Sequence, residues 1–247
     1  MTAGARRMAP GAGAGSALPP LAAVAHELRT PLHGVLGCAE LLARTPLDAE
    51  QRAHLAALTE AARGALALAD DALALARLDA AGGDDDPGGL HVPVRPAPCD
   101  PRLVLAGVVR TLAPRAAAAG LRLDWEAEPD VPADAPLDAA RVREVLLNLA
   151  ANAVRVTRRG GVALRARVEP GEGDGVRRVL ALAVADTGPG LTPAAQAALF
   201  RPWAPGAGGG AGLGLLLARR LAEAMGGRLD VAGAHGRGST FTLRLPL

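Results

Sequence analysis

The sequence predicts two domains of different class: an α-helical hairpin over residues 18–80, and an α+β two-layer sandwich over residues 90–247. Three observations carry this reading. Apolar residues recur at intervals of three and four in two runs, from Leu21 to Leu42 and from Leu55 to Ala76, as one face of a helix requires. A Gly- and Asp-rich break at residues 81–89, Ala-Gly-Gly-Asp-Asp-Asp-Pro-Gly-Gly, then interrupts every periodic pattern. Beyond it, strand-like and helix-like segments are grouped rather than strictly alternating, which favours helices on one face of a mixed sheet.

Residues 1–17 are rich in Gly, Ala and Pro and read as a disordered tail. A helix is expected over 18–45, with Pro19 and Pro20 in its first turn and Leu21, Val24, Leu28, Leu32, Val35, Leu36 and Leu42 at helical spacing. Pro31 removes one helical hydrogen bond and is expected to kink it. Thr45-Pro46 marks a turn. A second helix over 48–79 places Leu55, Leu58, Ala62, Leu66, Ala69, Leu73 and Ala76 in a narrow seam. Two helices cannot enclose a core, so a second copy is expected to complete a four-helix bundle, making a homodimer. The aspartates of the break read as a solvated linker rather than a metal site. In the second domain, Leu90, Val92 and Val94 alternate as a short strand. Helices are expected over 101–119, 138–157 and 193–199 and from about Leu215 to Met225. Strands are expected over 121–128, 161–169, 177–185, 228–233 and 239–245, with 161–169 and 177–185 forming a hairpin.

Composition excludes several function classes. The net charge is +2, and no basic run is interleaved with aromatics, which argues against nucleic-acid binding. The chain has no lysine and no isoleucine. No stretch of about 18 uninterrupted apolar residues exists, so no direct membrane span is expected. Arg6 and Arg7 before a small apolar run superficially suit a secretion signal, but Pro10, Pro19 and Pro20 do not. Cys38 and Cys99 have no metal-type spacing and read as buried thiols of a reducing, cytoplasmic compartment.

The second domain carries the clearest binding chemistry. Glu144, Asn148 and Asn152 fall four residues apart and Arg155 follows at three, all on one face of a helix. Two carboxamides and a carboxylate suit a hydrated divalent cation such as Mg²⁺, although taken alone the ridge reads rather as an ordinary solvated face. After the apolar run 179–185, Asp186-Thr187-Gly188-Pro189-Gly190 puts a carboxylate at a strand end. It can accept a hydrogen bond from an exocyclic amino group, while the glycines admit close backbone approach. Gly208-Gly209-Gly210-Ala211-Gly212-Leu213-Gly214 opens a helix, where free N–H groups and the positive dipole end favour phosphate. It follows no strand and has no lysine, so a P-loop or Rossmann reading is poor.

Taken in order, these strings resemble the nucleotide-binding fold shared by gyrase, heat-shock chaperones, mismatch-repair ATPases and histidine kinases. REVLLNLAANAVRVT at 143–157 looks like the kinase N box and DTGPG like the G1 box. Leu199-Phe200-Arg201-Pro202-Trp203 looks like the F box, and GAGLGLLLARRLAEAMGG like the G2 box and its helix. The resemblance runs from about residue 20 to the last residue. It implies that Asn152 coordinates Mg²⁺, Asn148 assists at the phosphates of ATP and Asp186 reads the adenine amino group. Gly188 and Gly190 would shape that pocket, Gly210, Gly212 and Gly214 would wrap the phosphates, and Arg155 would meet the phosphate tail. Val156 stands where the N box usually has an aromatic. The expected ATP lid, 201–209, is short and nearly uncharged.

In the first domain, His26-Glu27-Leu28-Arg29-Thr30-Pro31-Leu32 resembles the H box of sensor histidine kinases of two-component systems. A neutral imidazole is a competent nucleophile at neutral pH, and Glu27 can orient it by accepting its other proton. Thr30 lies four residues on, on the same face; in the family a polar residue there helps position water for dephosphorylation. The reading implies an ATP-dependent protein-histidine kinase that phosphorylates His26 and passes the group to an aspartate of a separate response regulator receiver domain. Residues 1–20 hold no sensor domain, so input is expected from a separate sensor protein, or this is a core apart from its sensor. A catalytically weak dimeric ATP-binding scaffold or phosphatase is the alternative. A chaperone- or topoisomerase-like ATPase is opposed by the H box.

Overall fold

The computed structural model describes residues 21–81, 94–171, 178–200 and 213–247. The expected tail, nearly all of the linker and the expected lid lie outside those residues.

Two helices, α1 (Leu21–Leu42) and α2 (Ala49–Ala81), form the hairpin. α1 runs through Pro31 without interruption. A capping exchange starts α2: the Gln51 N–H donates to Asp48 Oδ1 at 2.8 Å and the Asp48 N–H to Gln51 Oε1 at 3.0 Å. Two otherwise orphaned donors are thereby satisfied, and the chain is turned sharply into the second helix. Arg29 of α1 donates from Nε to Asp70 of α2 at 3.1 Å, which fixes the register of the two helices beside the H box. The seam alone does not bury much. Leu28, Val35, Leu41, Leu42 and Leu58 remain exposed, and a cavity of about 660 Å³ opens between the helices, lined in part by Ala39, Leu47, Leu55 and Thr59. Cys38 is exposed and Cys99 half-buried, both as free thiols. The expectation that both are buried therefore fails at Cys38, because a single hairpin has no inside at that face.

The second domain runs β1 (Ala97–Cys99), α3 (Pro101–Ala118), β2 (Arg122–Ala127), β3 (Ala135–Leu137), α4 (Ala139–Val156), β4 (Gly161–Pro170), β5 (Arg178–Asp186), α5 (Pro193–Ala198), α6 (Leu213–Ala224), β6 (Arg228–Gly233) and β7 (Ser239–Pro246). Five strands form one mixed sheet in the order β2-β4-β5-β7-β6. β2 and β4 are parallel, and the other three pairings are antiparallel. The strand expected around Leu90, Val92 and Val94 is not seen at Val94, and Leu90 and Val92 lie outside the described residues. The strand there is instead β1, paired with β3 as Pro98 opposite Pro136. Three residues with a central proline leave no alternation to read.

Asp100, Asp138 and Thr192 cap α3, α4 and α5 by accepting backbone N–H bonds. Leu105 and Val108 of α3, Leu146 and Leu149 of α4 and Leu221 of α6 pack on Leu164, Leu182 and Leu243 of the sheet, all essentially inaccessible. The helices lie on one face, as expected for a two-layer sandwich. This packing fixes α4 across the sheet, next to the end of β5 from which Asp186 projects.

Candidate functional site

α4 is amphipathic, and its packing face decides where its polar ridge points. Val142, Val145, Leu146, Leu149, Ala150, Ala153 and Val154 are buried, while Leu147 is only half-buried. Glu144, Asn148 and Asn152 are half-buried and Arg155 exposed. Glu144 Oε2 accepts from Arg141 at 2.9 Å, so one of its oxygens is already engaged. Asn152 Oδ1 accepts from the Arg155 guanidinium. Although the Arg155 side chain is exposed, desolvation by the surrounding protein, and then the like charge of Arg115, hold its guanidinium below its ordinary range. It remains cationic at neutral pH. Asn148 Nδ2 is buried without a hydrogen-bond partner. An unsatisfied buried donor is costly in a finished protein and is explained when a ligand supplies the acceptor. A donor fits a phosphate oxygen, not a cation, and it divides the ridge into distinct roles. Asn148 offers an N–H, and Asn152 and Glu144 offer oxygen. Among the described residues no three His, Cys, Asp or Glu side chains gather as a metal cage. One or two side-chain oxygens completed by substrate phosphates and water is the donor set that Mg²⁺ ordinarily accepts, so the residues present fit that ion.

Asp186 ends β5 and is 8% exposed. Its Oδ1 accepts the Gly188 N–H at 2.7 Å, and the Ser239 N–H, directly across the β5–β7 ladder, also supports it. Burial pushes its pKa up from the usual carboxylate value, and those two backbone bonds pull against that rise. A carboxylate fixed by backbone and withdrawn from water suits recognition of an amino group, because little reorganisation is needed on binding. The loop after it is braced from behind. Gly236 donates its N–H to Pro189 O at 2.6 Å, and a Cβ on Gly190 would lie 1.9 Å from Ala234 O. With φ at +68°, Gly190 is required there both sterically and conformationally. A cavity of about 330 Å³ opens alongside, lined by Asp186, Gly233, Arg237, Gly238 and Ser239.

Of the expected phosphate-wrapping glycines, Gly214 lies in α6, which is described from Leu213 onward. Gly210 and Gly212 lie outside the described residues. Phe200 of the F box packs on the core, with Arg219 of α6 stacked over its ring at 5.1 Å from the centroid. In the hairpin, His26, Glu27 and Thr30 all belong to α1, with Glu27 and Thr30 exposed. The two halves of the expected chemistry therefore sit on different domains. Sequence reasoning did not find Ser239, Thr157, Thr187 or the Arg29–Asp70 pair. Thr187 was visible inside DTGPG, but only the fold shows what its hydroxyl meets.

Two family models match separate parts of the chain. Residues 21–81 match the family model described as the His Kinase A (phospho-acceptor) domain. Residues 137–247 match the one described as histidine kinase-, DNA gyrase B-, and HSP90-like ATPase. The chain is 38% identical over 229 residues to Sensor protein TorS of Escherichia coli (strain K12), covering 92% of this chain and 24% of that protein. It is 38% identical over 234 residues to Sensor histidine kinase AruS of Pseudomonas aeruginosa, covering 92% and 22%. The chain thus spans about a quarter of the length of these relatives. Among solved structures, full-length ShkA in complex with AMPPNP superimposes with a TM-score of 0.68 at 39% identity, covering 93% of this chain and 46% of that one. The histidine kinase AdeS of Acinetobacter baumannii shares the fold, with a TM-score of 0.57 at 22% identity over 90% of this chain and 97% of that one.

Proposed function

We propose that the chain is the kinase part of a sensor histidine kinase of two-component systems, an ATP-dependent protein-histidine kinase phosphorylated on its own His26. The observation that carries the reading is the occurrence in one chain of an H-box helix and a sandwich whose buried Asp186 and unpartnered Asn148 Nδ2 await a nucleotide. Asp186 accepts the adenine amino group, and Gly188 and Gly190 let the ring approach the loop. Asn148 donates to a phosphate oxygen, Arg155 turns from Asn152 toward the phosphate tail, and Gly210, Gly212 and Gly214 contribute backbone N–H groups at the start of α6. Asn152, and two turns earlier on the same ridge Glu144, would offer oxygen to Mg²⁺, which would supply charge neutralisation at the phosphates.

His26 attacks the γ-phosphorus in line. The N–P bond forms, the bond from phosphorus to the β,γ-bridging oxygen breaks, and ADP leaves. Glu27 orients the imidazole and takes the proton of its other nitrogen into a hydrogen bond. The phosphoryl group then passes to an aspartate on the receiver domain of a response regulator, and Thr30 positions water for the separate hydrolysis of that aspartyl phosphate, which releases inorganic phosphate. A second copy of the chain covers the exposed α1–α2 seam, giving a homodimer. A separate sensor protein, or a sensor segment of the same protein, supplies the input. A cytoplasmic location would supply the ATP that this reading requires. Incubation with γ-labelled ATP and Mg²⁺ should give an acid-labile, alkali-stable label that is lost in His26→Gln. Label persisting in that variant would overturn the assignment.

A further inference from the structure

Two threonines tie the end of α4 to the loop that carries Asp186. Thr157 caps α4: its N–H and its hydroxyl both donate to Ala153 O, at 3.0 and 2.8 Å, and the residue is 4% exposed. Gly188 rests directly on it. A Cβ on Gly188 would lie 3.2 Å from Thr157 Oγ1 and 3.5 Å from its Cα. From the other side, Thr187 reaches back to the turn that leaves α4. Its Oγ1 donates to Arg159 O at 2.9 Å and accepts the Gly161 N–H at 3.0 Å, while its own N–H donates to Gly161 O at 3.2 Å. Gly160, between them, has φ at +96°, and a Cβ there would lie 2.2 Å from the Thr187 hydroxyl. Gly160 O also accepts the Arg122 N–H of β2 at 3.0 Å, so the turn is held from both sides.

These contacts join α4 to the loop that follows β5. α4 carries the groups at the phosphate end, Asn148, Asn152 and Arg155. The loop after β5 carries Asp186 at the adenine end. We propose that Thr187 is a positioning residue that sets the spacing between the two ends of the nucleotide site. The proposal rests on the nucleotide-site reading above. Thr187 touches no reacting atom; it acts through the turn at 159–161. It is exposed, so water competes for the same partners, and the expected effect is about fivefold rather than a hundredfold.

The test compares Thr187→Val, which keeps the shape and removes the hydroxyl, with Thr187→Ser, which keeps the hydroxyl, in the full chain. AMP engages only the adenine end, whereas ATP with Mg²⁺ must satisfy both. Thr187→Val is expected to weaken Mg²⁺–ATP binding, and to raise its KM in autophosphorylation, by about fivefold. AMP affinity and kcat should stay within about twofold, and Thr187→Ser should recover the Mg²⁺–ATP affinity. Equal weakening of AMP and Mg²⁺–ATP would mean a general loosening and overturn the proposal. So would an unchanged KM, or a serine variant no better than valine. If the valine variant is unfolded by circular dichroism, Thr187→Ala replaces it, and failure of both to fold overturns a positioning role in favour of a folding one. Absence of nucleotide binding by the wild-type chain would overturn the nucleotide-site reading itself, and this proposal with it. A wild-type affinity that Thr187→Val leaves untouched would overturn this proposal alone.

Discussion

Asp186 is buried at a strand end, and its burial acts on both stability and binding. Its folded pKa lies above its ordinary value. A carboxyl raised in this way costs stability when ionised, and the cost is relieved as pH falls toward the raised value. Asp186→Asn is therefore expected to melt no lower than the wild type at neutral pH, yet to bind ATP at least about tenfold more weakly, the loss of one charge-assisted bond. Wild-type affinity should decline as pH is lowered into the raised range, with the asparagine variant flat; calorimetric titration across pH checks both. Asn148 gives a parallel case. Removing its unpartnered Nδ2 with Asn148→Leu should raise the unliganded melting temperature, because an unsatisfied buried donor costs about 1–3 kcal/mol, while weakening ATP binding. Thermal melting with and without nucleotide separates the two effects. These residues were legible because each stands in a short string whose spacing has a chemical reason. The Ser239 N–H that steadies Asp186 was not, since only the β5–β7 register brings it there.

Strand β5 shows how an element can be read on one face and missed on the other. Its inward residues Leu180, Leu182 and Val184 mark a strand in any sequence reading, and they are fully buried. Its outward residues include Ala181 and Ala183, which are also buried, although among the described residues no helix covers that face. The flanking strands supply the cover. In register, Ala181 lies between Arg167 of β4 and Arg244 of β7. Arg244 pairs with Glu169 at 2.8 Å and with Asp230, so long arginine stems lie over the alanine stripe. The hydrogen bond from Arg244 holds the Glu169 carboxyl below its usual range. That stabilisation is fully present above the unfolded glutamate pKa of about 4.3 and is lost as pH falls through the lowered folded value. Arg244→Ala should cost on the order of 1–2 kcal/mol at neutral pH, through lost packing and lost pairing together. The deficit should shrink as pH falls below about 4, which denaturant titrations at pH 7 and pH 3.5 would show. Helices and long strands were legible from periodicity. This cross-strand network was not, because its members come from three strands whose order the sequence does not display, and β1 and β3 were missed because three residues hold no period.

At the scale of the molecule, the hairpin does more than present His26. Ala69, Ala72 and Leu73 of α2 belong to the same continuous core as the helices of the sandwich, and α2 packs on α6. Glu60 adds an ion pair to Arg115 of α3 at 3.5 Å. Asp70 lies among these docking residues and is also the partner of Arg29, three residues after His26. The sandwich is therefore docked at the level of the hairpin where the H box lies, and one turn of α2 faces both. Docking holds the second domain by a small apolar contact rather than a broad one, since alanines bury little area. A single charge placed there is enough to shift the balance, because an unpaired buried carboxylate costs several kcal/mol. Ala72→Glu should release the sandwich while leaving both folds intact. The expected result is a larger radius of gyration by small-angle scattering and faster amide exchange confined to α6 and residues 69–73. Mg²⁺–ATP affinity should stay within about twofold, because the groups proposed to bind nucleotide all lie on the sandwich. An unchanged radius would show that the contact is too weak to set the arrangement. A lost ATP affinity would show instead that α2 is part of the nucleotide site, and the division of chemistry between the two domains would have to be redrawn.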